Sequence, residues 1–211
     1  MKGADMKKLN FVLLTIAVLI VSMGVWAQID VAAAKEAGPS NTGTGGEKTP
    51  PSKKILVVYF SHTGTTREIA NQIHKIAGGE IFEIQVVEPY PVDYEEAKKR
   101  AKQEQGSGYK PALRSRVENI RSYDVVFIGY PIWWGTIPAP IRSFLSEYDL
   151  SGKSVVPFCT HRGSGLGRSV ADISKLCPRS IILDGKAVSA GDVKTSQKAV
   201  SEWLRKIKIT E

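Results

Sequence analysis

The chain has 211 residues, of which 42% are hydrophobic, 24% are charged and 8% are aromatic. This composition is typical of one globular domain and argues against a disordered, a fibrous or a polytopic membrane protein. Lys and Arg outnumber Asp and Glu by 29 to 21, which gives a formal net charge of +8. The longest basic run covers only residues 98–100, and no basic cluster is interleaved with aromatic residues. We therefore expect a solvated basic surface and no nucleic-acid binding.

The first 27 residues have the pattern of an export signal, because lysines precede an apolar run over residues 11–25, and residues 25–27 have small residues at the spacing of a signal-peptidase site. An uncleaved membrane anchor is the alternative, since residues 9–27 approach the roughly 20 residues that cross a bilayer. A buried core helix is disfavoured by the polar residues that follow. We expect an exported protein, either periplasmic or anchored in the membrane and facing outward.

Residues 28–53 are rich in Ala, Gly, Ser, Thr and Pro, as in a flexible linker. The folded domain is therefore predicted over residues 54–211, which carry 23 basic and 17 acidic residues. Its two cysteines could form a disulfide in an oxidising compartment, but Cys159 ends an apolar run and is predicted to be a buried free thiol. Together with three scattered histidines, the cysteines have no metal-ligand spacing.

Patterns of strand and helix alternate along this domain. Residues 54–60 form a continuous β-branched and apolar run, as in a strand covered on both faces, and residues 65–77 carry apolar residues at helical spacing. Further strands are predicted at 80–87, 124–130, 154–159 and 180–183, and further helices at 93–105, 138–148, 168–176 and 192–206. Five alternating pairs predict a doubly wound α/β domain with a five-stranded parallel sheet, whose ligands bind at the carboxyl ends of the strands.

The loop after the first strand favours phosphate binding. It has the sequence SHTGTTR over residues 61–67, with four hydroxyl side chains and a glycine where a helix begins. Free N–H groups at a helix N-terminus bind anions, whereas an ordinary helix cap needs only one Ser or Thr. The loop lacks the lysine of a nucleotide-hydrolysing P-loop. We therefore predict a phosphate site without nucleotide hydrolysis.

The loops after the third and fourth strands favour a flat aromatic ligand. The first, YPIWWGT over residues 130–136, contains adjacent tryptophans, for which burial in the core is the alternative. In the second, THRGSGLG over residues 160–167, three glycines let the main chain approach a ring closely. A phosphatase cradle would need Arg at position 165, and a nucleophile elbow would need Gly at position 162; neither is present.

Together the segments VVYFSHTGTTREIA, GYPIWWGTIPAPIRSFL and FCTHRGSGLGRS resemble the flavodoxin family, over residues 54–209. The resemblance implies a flavodoxin-like fold with strand order 2-1-3-4-5 and FMN as the cofactor, with its phosphate on the first loop and its ring between the other two. The cofactor-binding residues that it implies are Ser61, His62, Thr63, Gly64, Thr65, Thr66, Pro131, Ile132, Trp133, Trp134, Gly135, Thr160, His161, Gly163, Ser164 and Gly165.

Two details of the resemblance concern the ring. Trp134, just before Gly135, matches the inner stacking tryptophan of the family, with Trp133 as the alternative. Leu166 and glycines stand where many flavodoxins have an outer tyrosine, which predicts a more open ring face.

The expected function is electron transfer by an exported flavoprotein. The alternative is an NAD(P)H-dependent flavin or quinone oxidoreductase that uses the open ring face above Leu166. A cofactor-free binding module is less favoured, because it leaves residues 61–66 and the two adjacent tryptophans unexplained. The family is usually acidic, whereas this domain is basic, so we expect an acidic redox partner or an anionic membrane surface. The positive rim expected for such a partner consists of Arg67, Arg142, Arg162 and Arg168, unless these are only solvated helix ends.

Overall fold

The computed structural model describes residues 53–211. The predicted export signal at 1–27 and the predicted linker, apart from its last residue, lie outside these described residues. Within residues 53–211, no helix combines the length and the apolar character needed to cross a bilayer.

A parallel sheet with the strand order β2-β1-β3-β4-β5 forms the centre of the domain, as the resemblance implies. Its strands are β1 (Ile55–Tyr59), β2 (Glu80–Glu83), β3 (Val125–Pro131), β4 (Ser154–His161), β5 (Ile181–Ile182) and β6 (Lys186–Ser189). The sixth strand was not predicted. Both β5 and β6 pair in parallel with β4, through Val155 with Ile182 and Phe158 with Lys186, so the edge strand gains one extra residue between its two parts.

Five α-helices connect the strands: α1 (Thr65–Ala77), α2 (Tyr94–Ser107), α3 (Ala139–Glu147), α4 (Ser169–Leu176) and α5 (Gln197–Lys206). The predicted bounds hold to within two residues, except in two places. The second strand ends at Glu83 instead of residue 87, because Val86 pairs in antiparallel fashion with Leu113. The last helix begins at Gln197 and not at 192, because a 3₁₀ turn at Val193–Thr195 comes first.

The two faces of the sheet are covered by different helices. The β1 side chains of Leu56 and Val58 belong to a core cluster that contains residues of α3 and α4, including Phe144 and Ile173. Those of Ile55, Val57 and Tyr59 belong to a second cluster with residues of α1 and α5, including Ile73 and Leu204. Because both faces of β1 are buried, its sequence is continuously apolar. The carboxyl ends of β1, β3 and β4 consequently meet at one edge, where the three predicted loops begin.

Candidate functional site

A cavity of about 300 Å³ opens at this edge, between the loops that follow β1, β3 and β4. Eleven of the sixteen predicted site residues line it: His62, Thr63, Thr65, Pro131, Ile132, Trp133, Trp134, Gly135, Thr160, His161 and Ser164. The other five predicted residues lie in the same loops but outside the lining: Ser61, Gly64, Thr66, Gly163 and Gly165. The structure adds six lining residues: Tyr94, Ala97, Lys98, Ala101, Arg162 and Ala190.

Ser61 shapes the loop that was predicted to hold a phosphate. Its Oγ accepts hydrogen bonds from the backbone N–H of Gly64 at 3.1 Å and of Arg67 at 3.3 Å. Gly64 precedes α1 in a left-handed conformation, and its carbonyl accepts the first helical bond, from the N–H of Glu68. The N–H groups of Thr65 and Thr66 in the first helical turn have no carbonyl partner within the helix, so together with the Thr63 and Thr65 hydroxyls they form a donor set suited to an anion.

Thr66 has a different place from the other hydroxyls of this loop. Its side chain is fully buried, and its Oγ1 lies 2.8 Å from Oγ1 of Thr160, at the end of β4. This buried hydrogen bond joins the start of α1 to the neighbouring strand. The Thr66 side chain therefore stabilises the loop from within the core and does not line the cavity. Only the backbone N–H of Thr66 is available to a phosphate.

A tight turn presents the two tryptophans. The backbone groups of Trp133 and Thr136 exchange two hydrogen bonds of 3.1 Å each. Between them, Trp134 and Gly135 have φ values of 51° and 80°, the positive angles of a type I′ turn. Such an angle is rare for a bulky residue and points to a conformation held by its surroundings.

The turn is held against the loop after β4. The N–H of Arg168 donates to the carbonyl of Gly135 at 2.9 Å. A Cβ at Gly167 would lie 2.4 Å from the same carbonyl oxygen, which explains the glycine at this position. This close contact fixes the spacing of two walls of the cavity, and no sequence motif predicts it.

The two indoles have different surroundings. Trp133 packs edge to face against Phe60, Tyr90 and His62, with ring centroids 4.9 to 5.8 Å apart. Trp134 is 43% exposed, and its Nε1–H donates to the carbonyl of Lys98 in α2 at 3.2 Å. Trp133 is thus part of an aromatic wall, whereas Trp134 connects the turn to α2.

Backbone partners hold two histidines of the cavity in the same tautomer, with the proton on Nε2, but each partner occupies a different ring nitrogen. The N–H of Gly163 donates to His161 Nδ1 at 3.0 Å, so the proton of the neutral ring is on Nε2. His62 Nε2 lies 2.9 Å from the carbonyl oxygen of Pro91, which can only accept, so Nε2 donates. The neutral His62 ring therefore keeps Nδ1 as an acceptor. Of the nitrogens without a backbone partner, that of His161 is therefore a donor and that of His62 an acceptor, and both residues line the cavity.

Leu166 does not line the cavity, contrary to the expectation of an open ring face above it. Its side chain packs against the buried core that contains α3 and α4. An exposed lining residue is Tyr94 of α2, which has the Arg162 guanidinium 5.5 Å from its ring centroid. The sequence predicted α2 as a helix, but no motif connected it with the site.

The remaining reactive groups are poorly placed for chemistry in the cavity. Both cysteines are free and buried, and burial raises the pKa of Cys159 to about 12. A thiol that stays protonated is a weak nucleophile. Burial also raises the pKa of Tyr90, whose hydroxyl donates to Glu104. Within residues 53–211, no group of three or more His, Cys, Asp and Glu side chains could hold a metal ion.

Comparison with known proteins identifies the family. The family model for flavodoxin matches residues 54–207. The chain belongs to the flavodoxin family. No match is found among curated proteins.

Solved structures of similar proteins agree with this flavodoxin assignment. A protein from Bacteroides eggerthii, assigned as a flavoprotein, is 38% identical with a TM-score of 0.67, and the match covers 75% of this chain and 99% of that one. Another from Bacteroides uniformis is 30% identical with a TM-score of 0.66, covering 73% and 99%. A Lactobacillus acidophilus flavoprotein in complex with FMN is 24% identical with a TM-score of 0.58, covering 68% and 97%; at this identity the likeness shows a shared fold.

The residues of this flavodoxin-family site fit FMN. The hydroxyls of Thr63 and Thr65 and the start of α1 form a place for a phosphate, and Trp133 and Trp134 give flat apolar surface beside it. The cavity volume of about 300 Å³ is within the range of small-molecule sites. The FMN expectation from the sequence is thus supported by the family and by the donor set of the cavity.

Proposed function

We propose that this flavodoxin-family domain binds FMN in the cavity between the three loops and transfers electrons to and from partner proteins. When bound, FMN supplies a ring that carries one or two electrons, and the protein supplies binding, orientation and electrostatics. The observation that carries the proposal is the junction of a helix N-terminus rich in hydroxyls with a wall of two tryptophans in one cavity.

The chain's own residues divide this work. Thr63, Thr65 and the first-turn N–H groups of α1 hold the phosphate, while the fixed indole of Trp133 orients the ring and keeps water from one side of it. His161 Nε2–H is a donor available to a polar edge of the ligand, because Gly163 occupies the other nitrogen.

A flavin-dependent oxidoreductase is the second candidate. One observation favours it: the cavity lining includes the exposed side chains of Tyr94 and Arg162, beside which a second small molecule could bind next to the ring site. An electron carrier should consume NAD(P)H slowly without a separate reductase, whereas an oxidoreductase should reduce a quinone steadily. Steady quinone reduction by the purified protein would therefore favour the enzyme.

The proposal includes the cellular location of the protein. We propose that residues 1–27 direct the domain out of the cytoplasm, either as a cleaved signal or as a tether. The support is the sequence pattern of three lysines before a long apolar run. Cell fractionation, with mass spectrometry of the mature N-terminus, tests both alternatives.

Titration with FMN and with riboflavin tests the cofactor site. We expect saturable quenching of flavin and tryptophan fluorescence, with FMN bound more tightly than riboflavin because only FMN reaches the phosphate site. Thr65→Ala should weaken FMN binding and leave riboflavin binding nearly unchanged. The matched control is Thr195→Ala, since this exposed threonine lies outside the cavity lining. Absence of saturable flavin binding would refute the proposal.

A further inference from the structure

The mouth of the cavity combines exposed apolar side chains with cations. Tyr94 is 53% exposed and Trp134 43%, high values for large apolar residues. Three cationic side chains form cation–π contacts with these two rings. The Arg162 guanidinium lies 5.5 Å and the Lys98 ammonium 5.8 Å from the Tyr94 ring centroid, and the Lys102 ammonium lies 5.1 Å from the Trp134 ring centroid. We call these five residues the cationic rim: Tyr94, Lys98, Lys102, Trp134 and Arg162.

The positive charges of this rim are less neutralised by ion pairs and by burial than those of the other three arginines near the site. Arg67 pairs with Glu83 at 2.6 Å, and Arg168 pairs with Asp172 at 3.3 Å. Arg142 is half-buried and donates to backbone carbonyls, and burial lowers its pKa. Three of the four arginines expected from the sequence to form a positive rim therefore do not present a free charge.

Arg162 and Lys102 behave differently from those arginines. Neither forms an ion pair with a carboxylate of residues 53–211; each instead stacks on a rim ring. Lys98 is partly offset by Glu95 at 3.2 Å, and no acidic side chain lines the cavity in the described part of the chain. The exposed ring edges are thus surrounded by cations whose charge remains available to a partner.

We propose that the cationic rim is the docking surface for an acidic redox protein, an inference that rests on the proposed electron transfer. Tyr, Trp and Arg are the residue types that dominate binding energy at protein interfaces, and the rim has one exposed member of each. Redox complexes have small interfaces, so the charges immediately around the cavity mouth select the partner. Carboxylates of an acidic partner would pair with Arg162 and Lys102, while its apolar side chains would cover Tyr94 and Trp134.

The test uses the full chain loaded with FMN and two redox proteins of opposite charge. A reduced, acidic [2Fe–2S] ferredoxin donates one electron to the bound flavin, and an oxidised, basic c-type cytochrome accepts one electron from the reduced flavoprotein. Stopped-flow rates are measured at about 10 mM and about 1 M salt, where charges are weakly and strongly screened. The proposal expects the ferredoxin rate to fall steeply with salt and the cytochrome rate to stay flat or rise.

Single-charge variants test whether the salt dependence of the ferredoxin rate arises from the cationic rim. Lys102→Gln and Arg162→Gln should each lower the low-salt ferredoxin rate about two- to fourfold and leave the high-salt rate unchanged. Lys198→Gln removes the same charge from an exposed position on α5, a helix that packs on the other face of the sheet, and should change neither rate. Equal losses in all three variants would mean that overall charge attracts the ferredoxin, which overturns a specific rim.

Two further measurements separate the alternatives. Calorimetric titration with oxidised ferredoxin detects complex formation without electron transfer, so loss of rim binding is distinguished from failure of the proposed redox function. Cosedimentation with phosphatidylglycerol vesicles tests a membrane as the occupant. Vesicle binding that needs Lys102 and Arg162, without ferredoxin binding, would overturn the proposal in favour of a lipid surface.

Discussion

Trp133 and Tyr90 pack edge to face, with ring centroids 4.9 Å apart and an angle of 75° between the rings. Phe60 contacts the same indole at 5.5 Å, so Trp133 is fixed by side chains of the core. Trp134 follows directly but has a positive φ and an exposed ring. The adjacent tryptophans of this site therefore have different surroundings, one fixed in the aromatic wall and one exposed beside α2.

The first prediction separates the two indoles by mutation. Trp134→Ala should weaken FMN binding by about 1 to 3 kcal/mol, through lost stacking and buried apolar area. The stability of the FMN-free protein should hardly change, because this ring is exposed. Trp133→Ala should lower the free energy of unfolding by about 3 kcal/mol as well as weaken binding, because it leaves a cavity in the aromatic wall. Flavin titration and urea unfolding measure the two effects.

The opposite pattern would reassign the stacking residue. If Trp134→Ala leaves affinity and flavin spectrum unchanged while Trp133→Ala abolishes both, the ring stacks on Trp133. Trp203→Phe is a control for tryptophan loss elsewhere, since Trp203 packs on Phe127 within the other core cluster.

The sequence predicted the sheet and the three loops because their signals are local. The continuous apolar run of β1 reflects burial on both faces, and the hydroxyl-rich loop directly precedes α1. The contribution of α2 could not be predicted in the same way. Tyr94, Ala97 and Ala101 lie at helical spacing, but only the path of the chain after β2 brings that helical face to the cavity.

Charge at the site was also beyond local sequence signals. Arg67 and Arg168 lie next to the predicted loops, yet each is paired by a carboxylate that the sequence does not identify. Lys102 belongs to the rim because Trp134 folds onto α2 through the carbonyl of Lys98. Contacts between segments that are distant in the sequence therefore determine which cations are left without a carboxylate partner.

The second prediction concerns the hydrogen bonds of Ser61. Ser61→Ala removes the acceptor of the N–H groups of Gly64 and Arg67, which should lower the free energy of unfolding by about 1 kcal/mol. It should also weaken FMN binding more than riboflavin binding, because the loop around the phosphate loses its shape. Ser201→Ala in α5 is the control and should stay within about 0.5 kcal/mol of the parent. An equal loss of affinity for both flavins would show that Ser61 does not shape the phosphate site.

The third prediction tests the contact between the two cavity loops. Gly167→Ala places a Cβ 2.4 Å from the Gly135 carbonyl oxygen, at a positive φ of 53°, and should cost about 1 to 3 kcal/mol of stability. FMN affinity should fall as well, because the turn that carries Trp134 is displaced. Gly106→Ala is the matched control: its Cβ meets no atom within 4 Å, and alanine in α2 should stabilise the protein by about 0.5 to 1 kcal/mol. Normal FMN binding by Gly167→Ala would contradict the coupling of the two loops.

The last prediction follows from the two buried thiols. Burial raises the pKa of Cys159 to about 12 and that of Cys177 to about 11, above the usual 8.5 or so. The native protein therefore keeps both protons at a pH where the unfolded chain releases them. Since the unfolded state then binds fewer protons, the free energy of unfolding should be unaffected by the thiols below about pH 8.5 and should fall as pH rises towards 11, by about 1.4 kcal/mol per pH unit for each thiol. Cys177→Ser should roughly halve this slope between about pH 8.5 and 9.5, whatever it does to the absolute stability. Alkylation of the thiols gives an independent measurement of their burial. After treatment with iodoacetamide, mass spectrometry should find neither cysteine labelled in the native protein and both labelled in urea. Rapid native labelling of Cys159 would show that its thiol is not buried in this way.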